Sequence, residues 1–273
     1  MRSIVLLIFV FLICGNSSYS LGLPKEKSPR VYHLNYWKDA PITIAGLLAS
    51  KYGTDYLRER EPELDLAATF TPNDIWWFDR GASKQDPSIA KQSLHASDNW
   101  VLALKLAPTL LMLDGKINDY WYDIATLYIE AHAIHATVYL AAAIPIKRYR
   151  PLMYNPLESQ ERKTGGNTTN SFFSGHAGMA ATSTFFMAKV FLDHHPEIKN
   201  KWLFYAGASI PPAIVGYYRY KGGKHFPTDI ITGMVIGAAS GYFIPELHKK
   251  ERSLSLLPYT NKYSTGIYLK LKL

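Results

Sequence analysis

Three short polar segments between residues 147 and 229 carry residue types that could hold and transfer a phosphoryl group. They read Lys147-Arg148-Tyr149-Arg150-Pro151, then Ser174-Gly175-His176, then Arg219 followed by His225 and Asp229. Together they supply cations for an anionic group, two histidines for attack or proton transfer, and one carboxylate. Their order and spacing indicate phosphate binding and phosphoryl transfer to a histidine.

The third segment is the most informative of the three. His225 and Asp229 lie four residues apart, about one helical turn, and Pro227 predicts that a helix begins near the histidine. Asp229 is therefore expected to hydrogen-bond one ring nitrogen of His225 and leave the other free to attack phosphorus. Arg219 is expected to bind phosphate oxygens. A helix-start histidine followed by a first-turn acid is a common alternative without function.

The second segment predicts an anion site at the start of a helix. Ser174 can cap the helix, Gly175 allows close backbone approach, and the free N–H groups attract an anion. His176 would then stand beside the phosphate as a general acid. An ordinary serine cap followed by a surface histidine explains the same residues.

The first segment predicts recognition of phosphate by a guanidinium group. Arg150, fixed by Pro151 at a helix end, could bind two phosphate oxygens, with Lys147 or Arg148 adding charge. Cations are also favourable at any helix C-terminus, because they offset the helix dipole.

Most of the chain from residue 98 onward is expected to be helical. Apolar stretches at 124–146, 177–192, 202–218 and 230–245 follow a helix expected at 98–113, for which Asp98 is a candidate N-cap. A further helix is expected at 42–57. Residues 265–273 alternate as a strand or extended tail would. The glycines in 230–245 allow close helix packing. His132 and His135 could ligate a metal with Glu130, although packing inside the bundle is the interpretation that we favour.

The expected organisation is a signal peptide at 1–20, an N-terminal region at 21–97, a core at 98–248 and a tail at 249–273. A basic start and an apolar run before Ser20 are typical of an export signal, which would remove Cys14, the single cysteine. The expected location is the cell envelope, facing the periplasm. Near-spanning apolar segments favour membrane contact, integral or peripheral.

The chain has 273 residues and a formal net charge of +8. Its cations flank histidines and do not form a continuous stripe, which favours a small anionic substrate or an anionic lipid surface over nucleic acid.

Taken together, the three motifs resemble those of the type 2 phosphatidic acid phosphatase / vanadium haloperoxidase superfamily. The resemblance covers about residues 98–245 and implies an all-α bundle of about five or six main helices, here with a short extended tail. It implies a phosphatase without cofactor or metal ligands that acts on a phosphorylated lipid or a small phosphate ester. His225 would be the nucleophile, Asp229 its orienting partner and His176 the general acid. The phosphate-binding residues would be Arg150, Ser174, Gly175 and Arg219, with Lys147 or Arg148 assisting.

The chain departs from the family pattern Lys-x6-Arg-Pro, Pro-Ser-Gly-His, Ser-Arg-x5-His-x3-Asp at three positions. Ala143 stands where the first lysine is expected, Phe173 replaces the proline, and Tyr218 replaces the serine. The missing lysine is the most serious, because a charge that stabilises the transferring group is lost. We therefore expect Lys147 or Arg148 to reach back and replace it. A soluble periplasmic phosphatase and a catalytically impaired phosphate-binding or lipid-headgroup-binding protein are the alternatives; a haloperoxidase is disfavoured by Ala143.

Overall fold

The computed structural model describes residues 28–60 and 70–249, together with the backbone of 254–260 and 265–271. The expected signal peptide and Cys14 lie outside these residues. Eight helices occur in the described part: α1 (Tyr36–Glu59), α2 (Ala90–Leu106), α3 (Gly115–Asn118), α4 (Trp121–Ala143), α5 (Gln160–Thr164), α6 (Gly175–His194), α7 (Lys201–Lys221) and α8 (Pro227–Leu247). Short 3-10 turns connect several of them. Six of these helices are long, and they form a bundle, so the predicted all-α fold is confirmed.

Helices α6 and α8 form the centre of the bundle because glycines let their backbones meet. A Cβ atom at Gly233, Gly237 or Gly241 would collide with the carbonyl oxygens of Ser174, Gly178 and Thr182, respectively. The small residues recur one turn apart and form a continuous groove along α8. The close helix packing predicted from these glycines is confirmed, and it brings the starts of α6 and α8 together.

The other long helices surround this pair. Helix α4 packs its buried face, including Leu127 and Tyr128, against Phe186 and Val190 of α6. Helix α1 lies on α4, where Leu57 meets Leu140 and Ala143. Helices α2 and α7 cover the remaining side of α6. The bundle therefore encloses the N-terminal end of α6 on several sides.

Helix α2 begins earlier than the sequence suggested. It starts at Ala90 after a 3-10 turn at Pro87–Ile89, for which the Asp86 side chain accepts the Ser88 N–H. Asp98 lies inside the helix and does not cap it, so that prediction is wrong. The Asp86-Pro87 pair is a start signal of the ordinary kind, and it extends the helix by two turns toward its N-terminus.

The C-terminal tail is extended, and it pairs with itself. Strands β1 (Leu254–Thr260) and β2 (Thr265–Leu271) form an antiparallel hairpin in which Leu254 pairs with Leu271.

Within the described residues, one helix, α8, has the length and apolar composition needed to cross a membrane. Helix α7 runs unbroken through Pro211 and Pro212.

Candidate active site

The three motifs meet at one cavity of about 380 Å³, a size suited to a small ligand. It opens between α1, α2, α4, α6 and α7. Its lining combines basic and imidazole groups with apolar side chains. The basic and imidazole residues include Lys105, Arg150, His176, Arg219 and His225; the apolar residues include Leu47, Leu57, Ile129, Ala136 and Met179.

Arg150 is held in the cavity wall with one amino group unused. Its Nε and Nη2 atoms donate to Asn170 Oδ1 at 3.2 and 3.0 Å, and Nη2 also reaches Asn167 Oδ1 at 3.2 Å. The Nη1 atom is buried without a hydrogen-bond partner. Burial lowers the pKa of this guanidinium, since no carboxylate contacts it closely. A buried donor without a partner is costly, and an anion in the cavity would satisfy it.

Arg219, in the last turn of α7, adds a second guanidinium group to the cavity lining. Its Nη1 donates to Asp98 Oδ1 at 3.2 Å, and its Nε is buried without a hydrogen-bond partner. Burial and the charge of Arg150 lower its pKa to about 10. Two guanidinium groups with unused donors therefore face one cavity, an arrangement suited to bind an anion with several oxygens.

His176 shares the Asp98 carboxylate with Arg219. Its Nε2 lies 3.2 Å from Asp98 Oδ1, and the same carboxylate contacts Arg219. Burial, followed by the charge of Arg219, lowers the pKa of His176 to about 4, and Asp98 opposes this shift. A bound anion with two negative charges would also raise the pKa of His176, because the anion would offset the arginine charge.

Ser174 and Gly175 form the start of α6 beside these residues. The Ser174 side chain accepts the Ala177 N–H at 3.5 Å, and the Ser174 N–H donates to the Asp229 carbonyl oxygen at 2.9 Å. Gly175 lines the cavity, whereas Ser174 is fully buried. The helix start is thus tied to α8 and presents the glycine backbone to the cavity.

His225 is positioned by a backbone carbonyl group. Its Nδ1 lies 2.7 Å from the Ser171 oxygen, and a carbonyl only accepts, so Nδ1 carries the proton. Burial, with the charges of Arg150 and Arg219, lowers the pKa of His225 well below its usual range. The ring is therefore neutral, and Nε2 keeps a lone pair.

Asp229 contacts Ser171 where a contact with His225 was predicted. Its Oδ2 accepts the Ser171 hydroxyl at 2.6 Å and the Phe226 N–H at 2.9 Å, and its Oδ1 accepts from Arg148. The reason is local, since Asp229 is the third residue of α8 and its side chain turns back to cap the helix start. Asp229 is thus linked to His225 through Ser171.

Arg148 and Lys147, the expected replacements for the missing lysine, do not line the cavity. The Arg148 guanidinium pairs with Asp79 at 2.7 Å and with Asp229, and it lies over the Phe226 ring. Two buried carboxylates therefore fix it behind the site. Lys147 is exposed. Ala143 itself is buried against Leu57 and Leu140, so its position is part of the helix contact.

Lys105 is a cavity residue that sequence reasoning missed. It lies near the end of α2 and lines the cavity, and no carboxylate in the described part of the chain pairs with it. Burial lowers its pKa, and its charge in turn lowers the pKa of His176. The only sequence signal is an isolated lysine in an apolar stretch, which does not indicate a site by itself.

His132 and His135 also line the cavity, on α4. His132 Nε2 lies 3.1 Å from the Ser183 hydroxyl, and both ring nitrogens of His135 are buried without hydrogen-bond partners. Burial lowers the pKa of both rings. Glu130, the third residue of the metal alternative, contacts His248 and lies outside the cavity.

Comparison with known proteins identifies one family. The family model described as the PAP2 superfamily matches residues 124–253, a range that contains all three motifs. No curated protein matches the chain. Among solved structures, the chain is similar to the first transmembrane PAP2 type phosphatidylglycerolphosphate phosphatase from Bacillus subtilis. The identity is 19% and the TM-score 0.40, over 90% of this chain and 95% of that chain. A likeness at this level transfers no detail of the site.

Proposed function

We propose, from the match of residues 124–253 to the PAP2 superfamily model and from the cavity geometry, that the protein is a phosphatase with His225 as its nucleophile. The observation that carries the proposal is the hydrogen bond between His225 Nδ1 and the Ser171 carbonyl. It leaves a neutral ring whose Nε2 lone pair is available beside two arginines with unused donors. A site that only binds phosphate has no need of such a nucleophile.

The first step breaks the bond between phosphorus and the leaving oxygen. His225 Nε2 attacks phosphorus, the electron pair of the breaking bond goes to the leaving oxygen, and His176 gives that oxygen its proton. In the second step His176 takes a proton from water, the water oxygen attacks phosphorus, and the bond to His225 breaks. Phosphate is released and His225 is neutral again.

Arg150, Arg219 and Lys105 bind the phosphoryl oxygens. Charge builds on these oxygens during transfer, and fixed cations in a partly dry cavity stabilise it without reorganisation. Lys105 supplies from α2 the positive charge that Ala143 lacks. The chemistry assigned to these residues requires no metal ion.

A lipid phosphate is the substrate class that fits the cavity. Apolar side chains line the cavity together with the cations, so a phosphate group and the first carbons of an acyl or prenyl chain could lie side by side. Three neighbouring aromatic rings of Trp76, Trp77 and Phe78 are exposed and contact one another. Such rings are typical of membrane interfaces. We therefore infer membrane association. A location in the cell envelope with the cavity facing the periplasm stays a prediction that rests on the expected N-terminal export signal.

The test is release of inorganic phosphate by wild type and His225→Ala in detergent with a chelator. The substrate panel contains phosphatidate, a polyprenyl pyrophosphate and soluble phosphomonoesters. We expect release by the wild type alone, fastest with a lipid. Preference for soluble esters would indicate a soluble-type phosphatase. No release from any substrate, combined with phosphate binding, would indicate a binding protein and overturn the proposal.

A further inference from the structure

A second cluster of ligand groups lies near the far end of α8, away from His225. It contains Asp39 in the first turn of α1, Glu130 in α4, and His248 directly after α8. The three ligand atoms lie within 4.8 Å of one another. Helix α8 has 21 residues and rises about 30 Å, so its C-terminal end lies far from His225, which precedes its start. None of the three side chains lines the cavity.

Protein contacts alone leave this cluster incomplete. Glu130 is 4% exposed, and its Oε2 is buried without a hydrogen-bond partner. His248 Nε2 lies 3.4 Å from Asp39 Oδ2 and 3.7 Å from Glu130 Oε2. The second distance is too long for a hydrogen bond. Asp39 Oδ2 also accepts the Asn35 N–H at 2.6 Å, so Glu130 is the carboxylate that protein contacts leave buried without compensation.

The tautomer of His248 is the one that metal ligation requires. Its Nδ1 lies 2.8 Å from the Ile244 carbonyl oxygen and therefore donates its proton there. In the neutral ring the lone pair of Nε2 then points toward two carboxylates. A ring nitrogen oriented in this way by a backbone carbonyl is the usual second-sphere arrangement of a histidine metal ligand. The backbone is held as well, since the His33 N–H donates to the His248 carbonyl at 2.8 Å.

The separations from His248 Nε2 to the two carboxylate oxygens also fit a metal ion. With bonds of about 2.1 Å, separations of 3.4 and 3.7 Å correspond to ligand–metal–ligand angles of roughly 110° and 120°. These angles are close to tetrahedral. Two carboxylate oxygens and one imidazole nitrogen suit a first-row divalent cation such as Zn²⁺ or Mn²⁺.

We propose that Asp39, Glu130 and His248 bind one divalent transition-metal ion that ties α1, α4 and the end of α8 together. The ion is structural, since none of its three ligands lines the phosphate cavity, and water completes its coordination. It joins an N-terminal helix, a central helix and the last helix of the bundle. The proposal is independent of the proposed phosphatase activity.

The full chain provides a matched control for this site. His195 also contacts two carboxylates, with Nε2 at 2.7 Å from Asp114 and Nδ1 at 3.0 Å from Glu197. Each of its nitrogens already faces its own carboxylate, so no single ring nitrogen is shared between two acids. His195→Gln should therefore leave metal binding unchanged.

The experiment is titration of Zn²⁺ and Mn²⁺ into the full chain after removal of metal with a chelator. Bound metal and melting temperature are measured. We expect one equivalent of one of these ions in wild type, with a rise of about 5 to 10 °C at 100-fold excess over Kd. Glu130→Gln and His248→Gln should lose the bound equivalent and the rise, whereas His195→Gln should keep both.

Two results would overturn the proposal. The first is a wild type, whose folding is not altered by any substitution, that takes up no stoichiometric metal and keeps its melting temperature. The second is metal binding by Glu130→Gln and His248→Gln equal to that of the wild type, which would locate the ion elsewhere. Phosphate release measured in chelator is a separate readout, so failure of the metal site and failure of the phosphatase proposal are distinguishable.

Discussion

The Nδ1 atom of His225 lies 2.7 Å from the carbonyl oxygen of Ser171, and this contact fixes the tautomer of the ring. The Ser171 hydroxyl in turn donates to Asp229 at 2.6 Å. Asp229 therefore orients the backbone that orients the histidine. The carboxylate has no direct hydrogen bond to the imidazole, so its role in our account is positioning.

This indirect link predicts a loss of kcat in Ser171→Ala. The carbonyl group remains, but its anchor to Asp229 is removed. Loss of a hydrogen bond to a charged group, worth about 1.5 kcal/mol, corresponds to roughly a tenfold fall in kcat. KM should change little, because the arginines are untouched. Ser171→Thr, which keeps the hydroxyl, should restore kcat. Equal changes in kcat and KM, or no rescue, would argue against the positioning role.

Lys105 and Lys147 form a matched pair for locating the replacement of the missing lysine. Lys105 lines the cavity, and Lys147 is exposed outside it. Lys105→Met should lower kcat/KM about 10²- to 10³-fold, as expected when a fixed group that stabilises transition-state charge is removed. Lys147→Met should change it less than about twofold. Steady-state kinetics on both variants measures the difference, and the reverse ranking would contradict the assignment.

Asp98 should set the basic limb of the pH profile. His176 must carry its proton to act as general acid, so kcat/KM falls as pH rises through the pKa of His176. Asp98 raises that pKa, whereas burial and Arg219 lower it to about 4. Asp98→Asn removes the raising effect, and the basic limb should move to lower pH. Glu161→Gln, an exposed change outside the cavity, is the control.

The same pH profile can contradict the assignment of His176 as the group whose pKa Asp98 raises. A basic limb that keeps its position in Asp98→Asn, or moves to higher pH, would exclude His176 as the group that Asp98 controls. The two histidines and the arginines interact, so the measured values belong to the coupled site. The direction of the shift between wild type and variant is the informative quantity.

Two glycines test the packing that brings the starts of α6 and α8 together. A methyl group at Gly237 would meet the carbonyl oxygen of Gly178, whereas Gly207 on α7 has no atom within 4 Å of the added Cβ. Gly237→Ala should lower the free energy of unfolding by about 1 to 3 kcal/mol through overpacking. Gly207→Ala should raise it by about 0.5 to 1 kcal/mol. Thermal unfolding of the two variants measures both changes, and equal effects would contradict the close contact.

The helices and the order of the motifs could be predicted from sequence because their signals are local. Apolar stretches define α4, α6, α7 and α8, and Ser174 and Pro227 mark helix starts. The glycines of α8 also predicted that this helix packs closely against another helix. These features depend on neighbours within a few turns, which the sequence displays directly.

The partners of the site residues could not be predicted, because they depend on contacts between distant segments. The carbonyl of Ser171 has no signature in the sequence, since every residue carries one. Lys105 reaches the site only because α2 packs against α6. Arg148 pairs with Asp79, which lies 69 positions earlier in the chain. In each of these cases the contact partner is determined by tertiary packing.

The most direct test of the central claim is detection of a phosphoryl group on His225 during turnover. The enzyme is mixed with a labelled lipid phosphate, quenched rapidly in base, digested and mapped by mass spectrometry. We expect a phosphoryl group on His225 that survives base and is lost in acid, and that is absent from His225→Ala. Turnover with an equal yield of product and no label on His225 would contradict it.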